Sequence, residues 1–127
     1  MNNEIQRAVN NYKKVIHSQN KEDFYRLWAK GDCSLISISN QFFGVDEIYN
    51  DFLIGTIQAK FAKIDLVQDG DLTISQPNEN MAVVIFRYHT ECILRELNAV
   101  YGISGVETQV MVREDDQWKL LHVHYSR

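Results

Sequence analysis

The stretch ETQVMVREDDQWKLLHVHYSR, residues 107–127, decides the fold of this chain. Apolar, β-branched and aromatic residues dominate on both sides of a polar segment from Glu114 to Gln117. Two β-patterned runs that flank a short polar turn are typical of a β-hairpin. The sequence therefore predicts a hairpin whose second strand ends within a few residues of Arg127.

Composition limits the classes of function. The chain has 127 residues, 45% of them hydrophobic, and a formal net charge of −4. This size suits one hydrophobic core, so we predict a single domain over residues 1–127. Acidic and basic residues are interspersed, which leaves no basic face for nucleic acid and no polybasic segment for a membrane. No apolar run reaches membrane-spanning length, and Cys33 and Cys92 lie outside any CxxC spacing. We expect a cytoplasmic protein with buried free thiols.

Three helices are predicted in the first half of the chain. The first has an apolar stripe at helical spacing. Asn20, three positions before Asp23, is a candidate N-cap for a second helix that ends near Gly31. A third helix is predicted from Val45 to about Ala59, with acids in its first turn. The stripe of the first helix consists of Ile5, Ala8, Val9, Tyr12, Val15 and Ile16.

Strand-like patterns dominate the second half. A long strand is predicted over residues 61–75, broken or bulged at 69–71, and a turn at 77–80 separates it from a strand over 81–97. A short β-rich segment, residues 33–38, lies between the second and third helices. Helices followed by a run of antiparallel strands are typical of an α+β fold with the helices packed on one face of the sheet.

This order of elements, together with the terminal Trp118, His122-Val123-His124 and Ser126, resembles the NTF2-like superfamily. Within it, the chain is similar to the SnoaL-like branch that includes the association domain of calcium/calmodulin-dependent protein kinase II. The resemblance implies a cone, in which a curved antiparallel sheet wraps around three N-terminal helices. It also implies a ligand pocket inside the cone and a homodimer formed by the outer face of the sheet.

Strand parity assigns side chains to the two faces of the sheet. In the strand that starts at Met81, the set with Phe86 and Tyr88 is the better core face. In the hairpin, parity places Leu120, His122 and His124 on the side opposite to Tyr125. Residues assigned to the dimer-forming outer face include His89, His122 and His124.

The register of the kinase domain implies which residues enter the pocket. The positions that correspond to its carboxylate-binding arginines are Tyr88, Gln109 and Tyr125, which are neutral. We therefore expect a small hydrophobic ligand that is flat or weakly polar, and no cofactor. The predicted pocket residues are Tyr12, Trp28, Phe86, Tyr88, Gln109, Met111 and Tyr125.

The resemblance also indicates which chemistry to look for. Ketosteroid isomerases of this superfamily use a carboxylate base and an oxyanion site made of a tyrosine and a protonated acid. Where the base would fall, this chain has Ile36 and Ser37. The second acid would fall at Thr90, Cys92 or Met111. We expect no isomerase activity of that kind and leave catalytic residues unassigned.

Two histidines in the last strand form the other candidate functional site, a possible metal site. His122 and His124 are alternate residues of one strand, so their imidazoles point the same way and could share a metal ion. His89 or Glu91 could supply a third ligand. Since two histidines alone lack the ligand count of a metal site, we expect no metal and a role at a dimer interface.

Three functions remain open at this point. The first is a homodimer that binds a small molecule. The second is a SnoaL-like enzyme, of isomerase, cyclase or hydrolase type, that acts on a hydrophobic ring substrate. The residue that orients a carbonyl group would be Tyr12, Tyr88, Gln109 or His17. The third is an oligomeric assembly module.

Overall fold

A computed structural model describes residues 2–127. The helices are α1 (Asn2–Ser18), α2 (Lys21–Arg26) and a one-turn α3 (Val45–Glu47), which continues as a π-helix (Ile48–Gln58). The strands are β1 (Ser34–Ile36), β2 (Gln41–Phe43), β3 (Phe61–Gln68), β4 (Thr73–Asn78), β5 (Met81–Leu94), β6 (Val100–Tyr101), β7 (Ser104–Glu114) and β8 (Gln117–Ser126).

The strands form one curled sheet in the order β2-β1-β8-β7-β5-β3, and β4 and β6 also pair with β5. Neighbouring strands are antiparallel except β1 and β8, which are parallel. The terminal hairpin is confirmed, with Asp115 and Asp116 in its turn at positive φ. The predicted α+β class is confirmed, with helices packed inside a curved, mostly antiparallel sheet.

The helices begin where the sequence indicates, but two of them differ from the prediction. The Oδ1 atom of Asn20 accepts from the backbone N–H of Asp23 at 3.0 Å, which confirms the N-cap. However, α2 ends at Arg26 rather than near Gly31, since the backbone of Leu27 and Ala29 pairs with Leu120 of β8. The chain is drawn into the sheet before a further helical turn can form.

The predicted third helix is mostly a π-helix. In a π-helix the hydrogen bonds run from residue i to i+5, so residues four to five apart share a face. Ile48, Phe52, Leu53 and Ile57 have that spacing and are all buried. The wider turn therefore lets one helix place all four side chains in the core.

The side chains of β5 confirm the predicted faces, because Val84, Phe86, Tyr88 and Cys92 are buried. The strand ends at Leu94 rather than Leu97. The interruption between β3 and β4 is confirmed, but β4 extends to Asn78, so the turn before β5 is shorter than predicted.

The predicted faces of β8 are wrong before the bulge, where Trp118 and Leu120 both pack against the core. Leu120 is buried on the core side, although parity assigns it to the outer face with His122. A β-bulge lies where Val110 pairs with His122 and Met111 pairs with Leu120, which leaves Leu121 without an opposite residue. One extra residue reverses the alternation along the rest of a strand.

Both cysteines are free and buried, as expected. Among the described residues, no helix is long and apolar enough to cross a membrane.

Candidate active site

A cavity of about 240 Å³ lies between the concave face of the sheet, α1 and the π-helix. Most of its wall is apolar, because α1 contributes Ile16, the π-helix contributes Phe52 and Ile57, and β3 contributes Ile64 and Leu66. The cavity is therefore suited to an apolar molecule.

One carboxyl group is buried in this wall. Glu107 projects from β7 and is only 2% exposed. Its neighbour on the same face, Gln109, is fully buried and donates from Nε2 to Oε1 of Glu107 at 2.8 Å. The hydroxyl of Tyr12, on α1, is close enough to the Glu107 carboxyl group to influence its pKa. Two neutral donors thus converge on one acid.

Burial raises the pKa of Glu107 from 4.5 to about 7. The cause is loss of hydration, which penalises the carboxylate more than the neutral acid. The hydrogen bond from Gln109 and the nearby hydroxyl of Tyr12 favour the carboxylate and offset part of this effect. Because the resulting pKa is near neutrality, Glu107 can donate or accept a proton at physiological pH.

Three tyrosines surround this acid. Tyr12, Tyr88 and Tyr125 all line the cavity. Burial, followed by the negative charge of Glu107, raises the pKa of Tyr125 to about 12 and raises the pKa of Tyr12 and of Tyr88 as well. All three hydroxyl groups therefore stay protonated and can donate hydrogen bonds.

Gly105 makes room for one of these hydroxyl groups. A Cβ atom at this position would lie 2.7 Å from the backbone oxygen of Ser126 and 3.1 Å from the hydroxyl oxygen of Tyr88. Neither distance accommodates a methyl group. The glycine thus lets Tyr88 pass close to the backbone of β7 at the edge of the cavity.

A row of aromatic rings supports the wall formed by the π-helix. The ring centroids of Phe42 and Phe52 are 5.6 Å apart, and those of Phe52 and Tyr125 are 6.0 Å apart. These distances lie within the range in which aromatic pairs attract each other. The row connects β2, the π-helix and β8, so it fixes the position of Tyr125 relative to the π-helix.

The structure brings some of the predicted pocket residues together and separates others. Tyr12, Tyr88 and Tyr125 line the cavity. Gln109 holds Glu107 instead of lining the wall, and Phe86 stacks on Tyr88 with centroids 5.2 Å apart.

The other two predicted pocket residues lie away from this wall. Trp28 packs on Phe24 beside α2, with ring centroids 5.9 Å apart. Met111 borders a separate depression between α1, α2 and β8. Both residues pair with Leu120 of β8.

Glu107 itself was not among the predicted site residues. It has the same parity as Gln109 and Met111, so the sequence does indicate that it faces inward. An acid at an inward-facing strand position is the signal that could have identified it.

The position of Glu107 changes one part of the comparison with ketosteroid isomerases, namely the location of the second acid. The positions predicted for the second acid, Thr90, Cys92 and Met111, hold no acid, but Glu107 pairs with Tyr12 in the arrangement of a tyrosine beside a buried acid. At the position predicted for the base, β1 ends at Ile36, and Ser37, which follows it, lies on the cavity wall.

The histidines of β8 lie outside the cavity. Nδ1 of His122 is 2.7 Å from Oγ of Ser34, and burial lowers the pKa of His122. The ring centroids of His122 and His124 are 6.4 Å apart. Within residues 2–127, no three His, Cys, Asp or Glu side chains are grouped so as to hold a metal ion.

His89, on the outer face of β5, contacts two acids. Its Nδ1 lies 2.9 Å from Asp69, and its Nε2 lies 3.3 Å from Glu91. These hydrogen bonds raise the pKa of His89. His17, a candidate for orienting a substrate, lies near the surface, with its Nδ1 atom 2.7 Å from Oδ1 of Asp65.

Known proteins with similar structures share this architecture. An NTF2-like superfamily protein from Salmonella enterica subsp. enterica serovar Typhimurium str. LT2 superposes with a TM-score of 0.91 at 26% identity, over 98% of this chain and 88% of that chain. A hexachlorocyclohexane dehydrochlorinase from Novosphingobium barchaimii LL02 superposes with a TM-score of 0.84 at 14% identity, over 98% and 84%. A candidate calcium/calmodulin dependent protein kinase II association domain from Xanthomonas campestris gives 0.82 at 18% identity, over 97% and 84%.

No curated protein matches this chain in sequence. The model of the SnoaL-like domain, in contrast, matches residues 5–127. The similar structures with identities below 25% establish the fold alone, whereas the family match spans nearly all of the sequence. This chain is a member of the SnoaL-like domain family, with the NTF2-like fold.

Proposed function

We propose that this protein binds a small, largely apolar molecule of about one ring, which places a polar oxygen against Glu107. The observation that supports this most strongly is the position of Glu107, which is an acid 2% exposed at the wall of an apolar cavity. Burial of an acid destabilises the fold, so an acid at this position indicates a functional role.

The volume of the cavity sets the size of the ligand. An apolar cavity of about 150 Å³ holds benzene, and drug-sized ligands occupy about 300–1,000 Å³. The cavity here, at about 240 Å³, lies between those values. A single ring with a short substituent fits this space.

The polar groups that line the cavity determine which oxygen-containing groups of a ligand can bind there. Neutral Glu107 presents an O–H donor, while ionised Glu107 accepts from a hydroxyl group of the ligand. The hydroxyl groups of Tyr88 and Tyr125 supply further donors beside it. A phenol or a cyclic ketone satisfies these groups without bringing a charge into the apolar wall.

Isothermal titration calorimetry with para-ethylphenol tests this proposal. The wild-type protein should bind one molecule per chain. Leu66→Trp, which fills the cavity from β3, should abolish binding. Val67→Trp, at the next residue of the same strand but outside the cavity lining, is the matched control and should bind as the wild type does. Binding that survives Leu66→Trp, or no binding by a folded wild-type protein, would refute the proposal.

A second candidate function is proton transfer, which the pKa of about 7 of Glu107 specifically favours. In this reaction Glu107 exchanges a proton with the α-carbon of a bound ketone, while Tyr12 or Tyr88 donates a hydrogen bond to the carbonyl oxygen. NMR of cyclohexanone in deuterated water should then show faster α-deuteration with the wild-type protein than with Glu107→Gln. Equal rates would exclude this activity and leave binding intact.

We also propose that the protein forms a homodimer through the outer face of its sheet. Half-buried apolar side chains support this, namely Val83, Ile85, Val110 and Val112, which alternate with the buried residues of β5 and β7. His122 and His124 border them. Burial lowers the pKa of His122, so protonation of this residue should weaken the interface only as pH falls below its ordinary value of about 6.5.

Analytical ultracentrifugation tests the dimer. We expect twice the chain mass at pH 8, a shift towards the chain mass at pH 5.5, and the chain mass throughout for Val110→Glu. A constant mass across this pH range would contradict the role of the histidines. A wild-type protein with the chain mass at pH 8 would contradict the dimer itself.

A further inference from the structure

The mouth of the cavity has a different composition from its interior. Five lining residues are exposed and thus mark the opening to solvent. They are Ile38, Ser39, Thr56, Lys60 and Arg127. Two of the five are cations and none is an acid. The acid that lines the cavity, Glu107, is buried away from this opening.

Lys60 is positioned by aromatic rings beneath it. Its Nζ atom lies 5.4 Å from the ring centroid of Phe61 and 5.3 Å from that of Tyr101. A cation within about 6 Å of a ring centroid is attracted to the ring. The two rings are themselves stacked, with centroids 5.9 Å apart. The ammonium group is therefore held at the rim.

Neither cationic side chain at the mouth forms an ion pair with an acidic side chain in the described part of the chain. Within residues 2–127, Lys60 and Arg127 form no ion pair, whereas Lys63, on the same strand as Phe61, lies 3.7 Å from Asp65. Arg95 has a different role at this end of the cavity, since it donates to the backbone oxygens of Gln58 and Phe61. The charges of Lys60 and Arg127 remain available to a ligand.

We infer that the ligand of this cavity is an anionic amphiphile, whose apolar ring fills the interior and whose carboxylate lies at the mouth against Lys60 and Arg127. This inference rests on the proposed binding function and specifies the class of ligand. The anion stays in the solvated rim, so its hydration is largely kept. The interior contributes no charge that would repel it while Glu107 is neutral.

Three para-substituted phenols of similar size test the inference by calorimetry. Para-ethylphenol is neutral, tyramine is cationic and para-hydroxyphenylpropionate is anionic. We expect the anion to bind most tightly and tyramine most weakly. Lys60→Gln and Arg127→Gln should each weaken binding of the anion about fivefold, which is the upper range for an exposed ion pair, and leave para-ethylphenol unchanged.

Lys63→Gln is the matched control, because it removes a cation of β3 that does not line the cavity. It should leave all three affinities unchanged. Equal affinities for the three phenols would overturn the inference and leave the proposed function standing. Failure of all three to bind would overturn both. A loss of anion binding in Lys63→Gln as large as in Lys60→Gln would show a general charge effect and overturn the inference as well.

Discussion

Replacing Glu107 with glutamine should change how the stability of the protein depends on pH. Glutamine has nearly the same shape as glutamate and keeps the oxygen that accepts from Gln109 Nε2. It cannot ionise, so the variant isolates the effect of a buried charge. The amide oxygen, like a carboxyl oxygen, can accept a hydrogen bond from the nearby Tyr12 hydroxyl group.

The sign follows from the two pKa values of Glu107. The folded chain raises the pKa from 4.5 to about 7. Below pH 4.5 the carboxyl group is neutral in both the folded and the unfolded chain, and its contribution to stability is fully present. As pH rises through about 7, the folded chain must accommodate the carboxylate, and that contribution is lost.

The magnitude follows from the same shift. At 1.36 kcal/mol per pKa unit, a rise from 4.5 to about 7 corresponds to roughly 3 kcal/mol of unfolding free energy. We expect the wild type and Glu107→Gln to be similarly stable at pH 4. By pH 9 the variant should be more stable by roughly 3 kcal/mol, or about 10 °C in the unfolding midpoint for a chain of this size.

Urea unfolding followed by circular dichroism at half-unit steps from pH 4 to 9 measures this difference. Glu79→Gln, at an exposed acid in the turn before β5, is the control and should follow the wild-type curve. Identical pH profiles for the wild type and Glu107→Gln would refute the reasoning. They would mean that water or a rearrangement of the cavity hydrates the carboxylate.

Three other outcomes are expected. Gly105→Ala should destabilise the protein by about 1–3 kcal/mol in urea unfolding, because the added methyl group would overlap the backbone oxygen of Ser126; unchanged stability would contradict the close approach. Asn20→Ala should cost about 1 kcal/mol in the same assay through loss of the N-cap, and Asn20→Asp should restore it. In an NMR titration, the pKa of His89 should lie above 6.5 and should fall in Asp69→Asn, whereas a value unchanged by that substitution would mean that the contact does not persist in solution.

The sequence predicts the framework of the fold because the pattern is locally consistent. Alternation along β5 and β7 is uninterrupted, so parity assigns their faces correctly, including Tyr88 and Gln109. The N-cap at Asn20 and the terminal hairpin depend on short-range chemistry that the sequence carries directly. The order of elements then leaves few folds to consider.

Other features depend on contacts that are distant in sequence. The bulge at Leu121 arises from pairing between β7 and β8, and it moves Leu120 to the core. The π-helix places four buried apolar residues on one face. An α-helical pattern fits the same residues nearly as well, so their spacing alone does not distinguish the two helix types. The early end of α2 results from backbone pairing with Leu120. Secondary-structure propensity depends on neighbouring residues alone, so it does not indicate these long-range contacts.

The candidate site was predicted in part. Tyr12, Tyr88 and Tyr125 come together at the cavity from three separate elements. Glu107 has the parity that places it beside them, but its significance depends on burial that only the packed structure reveals. Trp28 and Met111 are buried as well, but Trp28 packs on Phe24 and Met111 borders the depression between α1, α2 and β8.

The proposed functions depend on Glu107 being an acid with a pKa near neutrality inside the cavity. An NMR titration that follows the side-chain carboxyl carbon of Glu107, assigned by comparison with Glu107→Gln, measures this pKa directly. We expect a midpoint at about pH 7 in the protein without ligand. A midpoint near the ordinary value of 4.5 would contradict this expectation.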